Sequence, residues 1–245
     1  MNRFYIDKLD VKDKYIILKD HAQLHHLRDV LRIKPLELVT VFDNYGNEYI
    51  CLVAEIGAHA VRLEVKEKRS PKGSDISLTV ACAIPKKVKM DDIVDKLTQL
   101  GVECIIPLET ARVVVRLDKL KKIDRVQRWE KIVLSAVKQS QGGRLTEVKQ
   151  ISTLKDVLSC AGEFDLRLIP TLEGKRESLN QVVNKKSNKL KKIIVLIGPE
   201  GDFTNQEIAL AKKSGFLPVS LGERTLRVDT AAIAVASFIK LNEAN

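Results

Sequence analysis

The glycine-containing segment Ile197–Thr204, with the sequence IGPEGDFT, is the first candidate for chemistry in this chain. It leaves a predicted strand and enters a predicted helix, which is where an α/β domain usually binds its ligand. It is not a P-loop, because no Gly-Lys-Ser/Thr follows, and it is not a dinucleotide fingerprint, because the chain contains no G-x-G. Gly198 and Gly201 permit close approach of a ligand to the backbone. A tight strand-to-helix turn would need the same glycines.

A second segment, Ser220–Ala232, combines glycine with charged side chains in the sequence SLGERTLRVDTAA. It follows the last predicted strand and opens the last predicted helix. Arg227 lies between the turn and the predicted helix. Glu200 and Asp229 could accept a proton, or could brace their turns by accepting hydrogen bonds from backbone N–H groups. An ion pair between Arg227 and one of these carboxylates is the structural alternative.

The spacing of the histidines and cysteines does not favour a metal site or a disulfide. His21, His25 and His26 contain an i, i+4 pair, but nothing near them completes a ligand set, so we expect no metal. The cysteines are scattered without a CxxC pair, and we expect them to be reduced and buried in a cytoplasmic protein. The four are Cys51, Cys82, Cys104 and Cys160.

The two segments belong to a chain region, from residue 75 onward, in which predicted strands and helices alternate. This alternation predicts an α/β domain with a mostly parallel sheet covered on both faces. A long basic helix is predicted at 124–139, and Thr204–Glu207 predicts a capping box, with Phe203 and Ile208 as its hydrophobic staple. The predicted strands are 76–84, 104–108, 164–170, 192–197 and 217–221.

Residues 1–70 follow a different pattern, in which short β-branched segments surround one predicted helix at 21–31. This pattern predicts a small barrel. The polar stretch Arg69–Asp75 contains Pro and Gly and predicts a domain boundary, which gives domains at 1–70 and 75–245. The predicted strands are 4–9, 15–18, 36–42, 48–55 and 60–66.

Charge is distributed unevenly along the chain. The net charge is +10, and the segment 112–149 contains 11 basic and 4 acidic residues. Clustered positive charge attracts a polyanion such as RNA, although a solvated basic surface has the same composition. No apolar run approaches the roughly 18 residues of a membrane helix, and the N-terminal segment lacks the apolar centre of a signal peptide. We therefore expect a cytoplasmic protein without membrane association.

The ordered motifs resemble the uridine-N3 ribosomal RNA methyltransferase family of the SPOUT superfamily. The family pattern GPEGGF(S/T) is similar to residues 198–204, and the pattern LG-x-x-I-L-R-x-E-T-A is similar to residues 221–231. Further similar segments are His26–Arg32, Lys96–Val102 and Arg125–Gly143, so the resemblance covers nearly the whole chain in order. This sequence departs from the family pattern at Gln99, Lys138, Gly142, Thr146, Asp202 and Asp229.

The resemblance implies an α/β fold with a C-terminal trefoil-knotted SPOUT domain, preceded by a small PUA-like β-barrel that binds RNA. It implies a homodimer that uses S-adenosylmethionine and no metal. The implied reaction is methylation of uridine N3 in 16S ribosomal RNA, where the family target is uridine 1498. Free RNA or the assembled small subunit could be the substrate.

The resemblance also implies roles for individual residues. Arg227 ranks first for catalysis, with Glu200 and Asp229 as possible proton acceptors and the base left unassigned. For Leu172, core packing explains the residue as well as cofactor contact does. The implied cofactor-binding residues are Leu172, Ile197, Gly198, Glu200, Gly201, Leu221, Gly222 and Leu226. The implied RNA-binding residues are Arg28, Arg32, Arg112, Arg116, Arg128, Gln139 and Arg144.

Two other functions are compatible with these motifs. One is a SPOUT methyltransferase that acts on a ribose 2′-OH or on a transfer RNA base. The other is a non-catalytic RNA-binding protein of ribosome assembly that has kept the fold.

Overall fold

The computed structural model forms two compact units, one of residues 1–73 with 137–145 and one of residues 74–136 with 146–245. The first unit therefore includes the segment 137–145, which no change in composition indicated. The predicted boundary at 69–75 lies mostly outside the described residues. The structure describes residues 2–6, 11–12, 14–70, 76–85, 89–112, 118–172, 174–185 and 190–242.

A six-stranded sheet with the order β1-β4-β5-β6-β3-β2 builds the N-terminal unit. Strands β1 and β4 are parallel and the other pairs are antiparallel. Burial alternates along β3 and β5, as the period-two pattern predicts, because one face covers the core. The strands are β1 Arg3–Tyr5, β2 Val11–Lys12, β3 Tyr15–Leu18, β4 Leu38–Phe42, β5 Glu48–Ile56 and β6 Val61–Arg69.

The predicted helix at 21–31 consists of two parts. Helix α1, His21–His25, begins after Asp20, whose side chain accepts a hydrogen bond from the Gln23 amide. The chain then continues as a π-helical turn over His26–Val30. It leaves the helix at Arg32, where φ is +51°.

The C-terminal unit contains a parallel sheet, as the alternation of elements predicts. Its strand order is β10-β8-β7-β13-β11-β14-β12, with β9 paired to β8. Strand β13 lies in the middle and is buried after its first residue, because its neighbours and the helices cover it. The strands are β7 Ser77–Ala83, β8 Cys104–Glu109, β9 Glu147–Val148, β10 Ser152–Thr153, β11 Leu166–Pro170, β12 Glu177–Ser178, β13 Lys192–Ile197 and β14 Leu217–Ser220.

Six α-helices begin within the described residues of this part of the chain. The basic helix α3 begins five residues before its predicted start, because the Asp118 carboxylate accepts a hydrogen bond from the Lys121 amide at 2.9 Å and caps the first turn. The capping box of α6 is confirmed at Thr204 and Glu207. The helices are α2 Lys89–Gln99, α3 Lys119–Ser140, α4 Leu154–Ser159, α5 Leu179–Asn184, α6 Asn205–Lys213 and α7 Val228–Asn242.

The last segment of the chain returns across the sheet. Strand β14 pairs with β11, yet the following helix α7 packs against β7, β13 and α2. The connection 221–227 must therefore cross the carboxyl ends of strands that precede it in the chain, as the knotted fold requires. No helix in the described part of the chain has the length and apolar character needed to cross a membrane.

Candidate functional site

A cleft opens at the carboxyl ends of β11, β13 and β14. Three segments form its walls: 170–172 after β11, the glycine loop 197–202 after β13, and 219–228 after β14. Parallel strands bring these chain-distant segments to one edge of the sheet. Its lining combines apolar side chains with polar and charged groups, as small-molecule sites commonly do.

The glycine loop is held against the core by Phe203. A Cβ at position 198 would lie 3.0 Å from the buried Phe203 ring, so a side chain here would force the ring to shift. The loop turns at 199–202, where the Asp202 amide donates to the Pro199 carbonyl at 2.9 Å. It then enters α6 through the capping box of Thr204 and Glu207. The loop is therefore both a tight turn and one wall of the cleft.

The wall after β14 depends on Gly222. Its φ of +112° lies in the region that favours glycine. The Ser220 hydroxyl accepts a hydrogen bond from the Gly222 amide at 3.2 Å and fixes this turn. Leu221 and Leu226 line the cleft on either side of it, which supplies the apolar surface that an adenine ring would require.

The three residues considered for catalysis occupy different positions. Glu200 lines the cleft. Arg227 is exposed and directly precedes α7, where its carbonyl accepts a hydrogen bond from the Ala231 amide. Asp229 lies in the first turn of α7 with its carboxylate 3.6 Å from Lys89 Nζ. Arg227 and Asp229 are not among the described residues that line the cleft.

Both candidate carboxylates are close enough to β7 to influence its buried thiol. Burial, together with the negative charges of Asp229 and Glu200, raises the pKa of Cys82 to about 12. Because Cys82 lies near the carboxyl end of β7, the two acidic side chains lie at the same sheet edge as the cleft.

Seven of the eight residues expected to bind cofactor line the cleft, and Gly201 is the exception among the described lining residues. The Gly201 carbonyl instead accepts a hydrogen bond from Arg112 Nη1. Leu172 is 48% exposed, so its side chain is not ordinary core. The cleft residues expected to bind cofactor are Leu172, Ile197, Gly198, Glu200, Leu221, Gly222 and Leu226.

Sequence reasoning missed two arginines of the cleft. Arg176 Nη1 donates to the Thr171 carbonyl at 2.7 Å, and Arg224 lies in the connection after β14. Arg224 belongs to the second motif and could have been found there. Arg176 belongs to no motif; it directly precedes β12, which pairs with β14, and it bonds Thr171 in the cleft wall.

Four residues considered for RNA binding lie in the first unit and are exposed: Arg28, Arg32, Gln139 and Arg144. Arg28 binds the Asp29 carboxylate with Nε at 2.9 Å and Nη2 at 3.1 Å. The hydrogen bond from Arg28, with that from His25, lowers the pKa of Asp29 to about 2. Asp29 therefore offsets the positive charge of Arg28 at neutral pH.

Two further candidates lie in the second unit. Arg128 Nη2 is 2.5 Å from Asp91 and remains 64% exposed. Arg112 is exposed and contacts the glycine loop, so it can act on the cleft directly. Arg116 lies outside the described residues.

The structure adds detail to the sequence-based expectations for the histidines and the cysteines. His25 Nδ1 lies 2.7 Å from the Asp29 carboxylate, which supplies the pair with an acidic neighbour. Among the described residues, no group of three or more His, Cys, Asp or Glu side chains is placed to hold a metal ion. The expectation that all four cysteines are buried is wrong for Cys160, which directly follows the short helix α4 and is exposed, and Cys104 is half-buried.

Several departures from the family pattern are accommodated locally. The Thr146 hydroxyl donates to the Val102 carbonyl at 2.6 Å, and the Gln99 amide donates to Asp95 at 2.8 Å. The Gly142 carbonyl accepts from Arg3 Nη2 at 3.0 Å. Burial lowers the pKa of the Lys138 ammonium below its ordinary value, and the carboxylate of Asp20 partly offsets this effect.

The sheet order, the returning connection and the cleft at the strand ends define an α/β protein of the knotted methyltransferase class. Residues 72–240 match a family model described as an RNA methyltransferase domain, and residues 18–66 match one described as an RNA methyltransferase PUA domain. The chain belongs to this family of RNA methyltransferases.

Two relatives match most of this chain. The ribosomal RNA small subunit methyltransferase E of Rickettsia conorii is 30% identical over 98% of this chain and 95% of its own length. The protein of the same name from Synechocystis is 32% identical over 91% of this chain and 72% of its own length.

Solved structures extend the similarity to the fold. A methyltransferase from Legionella pneumophila, in complex with its cofactor S-adenosylmethionine, has 28% identity and a TM-score of 0.85 over 98% of this chain and 97% of that one. The ribosomal RNA small subunit methyltransferase E of Neisseria gonorrhoeae, bound to S-adenosylmethionine, has 26% identity and a TM-score of 0.83 over 99% of this chain and 98% of that one.

Proposed function

We propose that this chain transfers a methyl group from S-adenosylmethionine to N3 of a uridine in small-subunit ribosomal RNA. The observation that carries the proposal is the cleft, which brings together the glycine loop and the segment after β14. Along nearly its whole length the chain is similar to a ribosomal RNA small subunit methyltransferase. Because ribosomal RNA is the proposed substrate, we expect the chain to act in the cytoplasm.

The cleft residues suit the proposed cofactor. Ile197, Leu221 and Leu226 provide apolar surface, and the backbone at Gly198 and Gly222 can approach the ligand closely. S-adenosylmethionine supplies a methyl group on a sulfonium that is already a good leaving group. The work left to the protein is therefore to orient the two reactants and to handle the uridine N3 proton.

The proton at N3 sets the remaining requirement. Loss of this proton develops negative charge on the base, which positive charge nearby would stabilise. Arg227 lies between Leu226, in the cleft wall, and the first turn of α7, so we assign it this role. Glu200 and Asp229 lie at the same sheet edge and are both candidates to accept the proton.

Calorimetry and a methylation assay test this function together. We expect S-adenosylmethionine to bind without added metal, and we expect methyl transfer to undermethylated small subunits to stop when uridine N3 is already methylated. Binding without transfer to any RNA would support the non-catalytic alternative. Transfer that maps to a ribose or to transfer RNA would contradict the proposed position.

We also propose that the working unit is a homodimer that uses α7. One side of this helix is buried against the sheet through Ala232, Val235, Ala236 and Ile239. Elsewhere on the helix Ala234 is exposed and Leu241 is 64% exposed. A second copy could cover these apolar groups. Sedimentation that finds an active monomer at nanomolar concentration would contradict the proposal.

A further inference from the structure

Asp202 joins two walls of the cleft. Its Oδ1 accepts a hydrogen bond from its neighbour, the Phe203 amide, at 2.7 Å. Its Oδ2 accepts from the Thr171 hydroxyl at 3.0 Å and from the Leu172 amide at 2.8 Å. One carboxylate is thus shared between the glycine loop after β13 and the segment after β11.

The backbone at Asp202 has an unfavourable conformation for a residue with a side chain. Its φ is +60°, in the left-handed region where glycine is favoured, and the family pattern has glycine here. Charge-assisted hydrogen bonds are about twice as strong as neutral ones and can offset this strain. The strain of the Asp202 backbone is therefore offset by hydrogen bonds of its carboxylate, which glycine could not form.

Thr171 extends the connection to the third wall. It is 5% exposed, and its amide donates to the Val219 carbonyl of β14 at 3.3 Å. Its carbonyl accepts from Arg176 Nη1 at 2.7 Å. Through Thr171, the carboxylate of Asp202 is connected to β14 as well as to β11.

We propose that Asp202 is a positioning residue that fixes the segment 170–172 against the glycine loop and thereby holds the cofactor cleft in its binding shape. The proposal rests on the proposed function for its ligand, S-adenosylmethionine. A cleft that is open in a fraction of the molecules binds more weakly by that fraction. Asp202 itself lines the cleft, and its carboxylate binds Thr171 and Leu172. It therefore acts on cofactor affinity by holding these two residues in place, and it leaves the methyl transfer step to other groups.

Three substitutions separate the contributions of Asp202. D202N keeps the shape but presents an amide N–H₂ to a backbone or hydroxyl donor, and D202A removes the contacts while keeping the strained φ. We expect both to raise the Kd for S-adenosylmethionine about ten-fold. D202G also loses the contacts but relieves the strain, so it should raise Kd less and be more stable than D202A. The kcat at saturating cofactor should stay within about two-fold of the original, because uniform binding alone is lost.

Asp165 provides a matched control. Its carboxylate accepts hydrogen bonds from the Lys191 and Lys192 amides, both at 2.9 Å, and lies just before β11, at the opposite end of the strand from the cleft. D165N should lower stability without changing cofactor affinity. T171V, which removes only the hydroxyl donor, should weaken binding less than D202N.

Amide hydrogen exchange tests, without any ligand, whether Asp202 holds the segment 170–172 against the glycine loop. In D202G the Leu172 and Phe203 amides should exchange at least about ten-fold faster, while the Lys191 and Lys192 amides keep their rates. D165N should show the reverse. Unchanged Leu172 exchange, or a D202N Kd equal to that of the original chain, would overturn the proposal. If the original chain binds no S-adenosylmethionine, the proposed function fails, and the exchange rates still decide whether Asp202 joins the two walls.

Discussion

Arg227 illustrates what a single residue contributes at this site. It directly follows Leu226 of the cleft wall and directly precedes α7, so its backbone is fixed by the helix while its side chain is exposed. We expect Arg227→Ala to lower kcat about 100-fold or more, because it removes charge that acts chiefly on the transition state. Arg227→Lys should restore little, because a point charge lacks the planar fork of the guanidinium.

Calorimetry should accompany those rate measurements. The Kd for S-adenosylmethionine should remain unchanged in Arg227→Ala, which separates this residue from Asp202, whose replacement alters Kd and spares kcat. Near-normal turnover of Arg227→Ala would show that the side chain has only a structural role.

At the scale of elements, two capping boxes offer a comparison within one chain. Thr204 with Glu207 starts α6 and adjoins the glycine loop, and Thr153 with Asp156 starts α4 away from the cleft. Replacement of either threonine by Ala should cost about 1 kcal/mol of stability, measured by denaturant unfolding, because one helix N–H loses its partner. Only Thr204→Ala should also weaken cofactor binding. Equal affinity in the two variants would separate the α6 cap from the cleft.

The elements also show which features a sequence can predict. The α6 capping box and the buried strand β13 follow from residues close together in the chain, and the structure confirms both. The contacts of Asp202 with Thr171 and with Leu172 join positions that are distant in the sequence. No local pattern marks them, so the sequence identified Asp202 only as a departure. Two-residue strands such as β9 were missed because they are too short to show periodicity.

At the scale of the whole molecule, the reactivity of each cysteine thiol depends on how deeply that thiol is buried. Burial raises the pKa of Cys51 and of Cys82 to about 12 and that of Cys104 to about 11, while Cys160 is exposed. Iodoacetamide at pH 8 should therefore label Cys160 first, and the others only after unfolding, because the thiolate is the reactive form. Mass spectrometry of the labelled peptides measures the order, and early labelling of Cys82 would contradict the buried β7.

The same shifts predict how stability depends on alkaline pH. The folded pKa of each buried thiol lies above its ordinary value of 9.0, so the native state keeps protons that the unfolded state releases. The stabilisation is complete below about pH 9 and is lost as the pH rises toward about 12. Denaturant unfolding across this range should show a smaller loss of stability in Cys82→Ala than in the original chain. A Cys160→Ser variant should follow the original chain.

We expect RNA binding to depend on exposed basic side chains. The ion pairs in the structure indicate which of these side chains already have a neighbouring carboxylate that offsets their charge. Arg32 and Arg144 are exposed, whereas the guanidinium of Arg28 already binds Asp29. Reversing Arg32 or Arg144 to Glu should weaken RNA binding and reduce the slope of log K against log salt by about 1 for each lost phosphate contact. Arg28→Glu should have a smaller effect, because Asp29 already offsets its charge.

Lys155 is an exposed lysine of α4, and Lys155→Glu is the matched control, which should leave the slope unchanged. Equal slopes for Arg32→Glu and Lys155→Glu would contradict the assignment of Arg32 to RNA binding. We expect the Kd for S-adenosylmethionine to stay unchanged in every variant, which would show that the substitutions weaken RNA binding without altering the cofactor cleft.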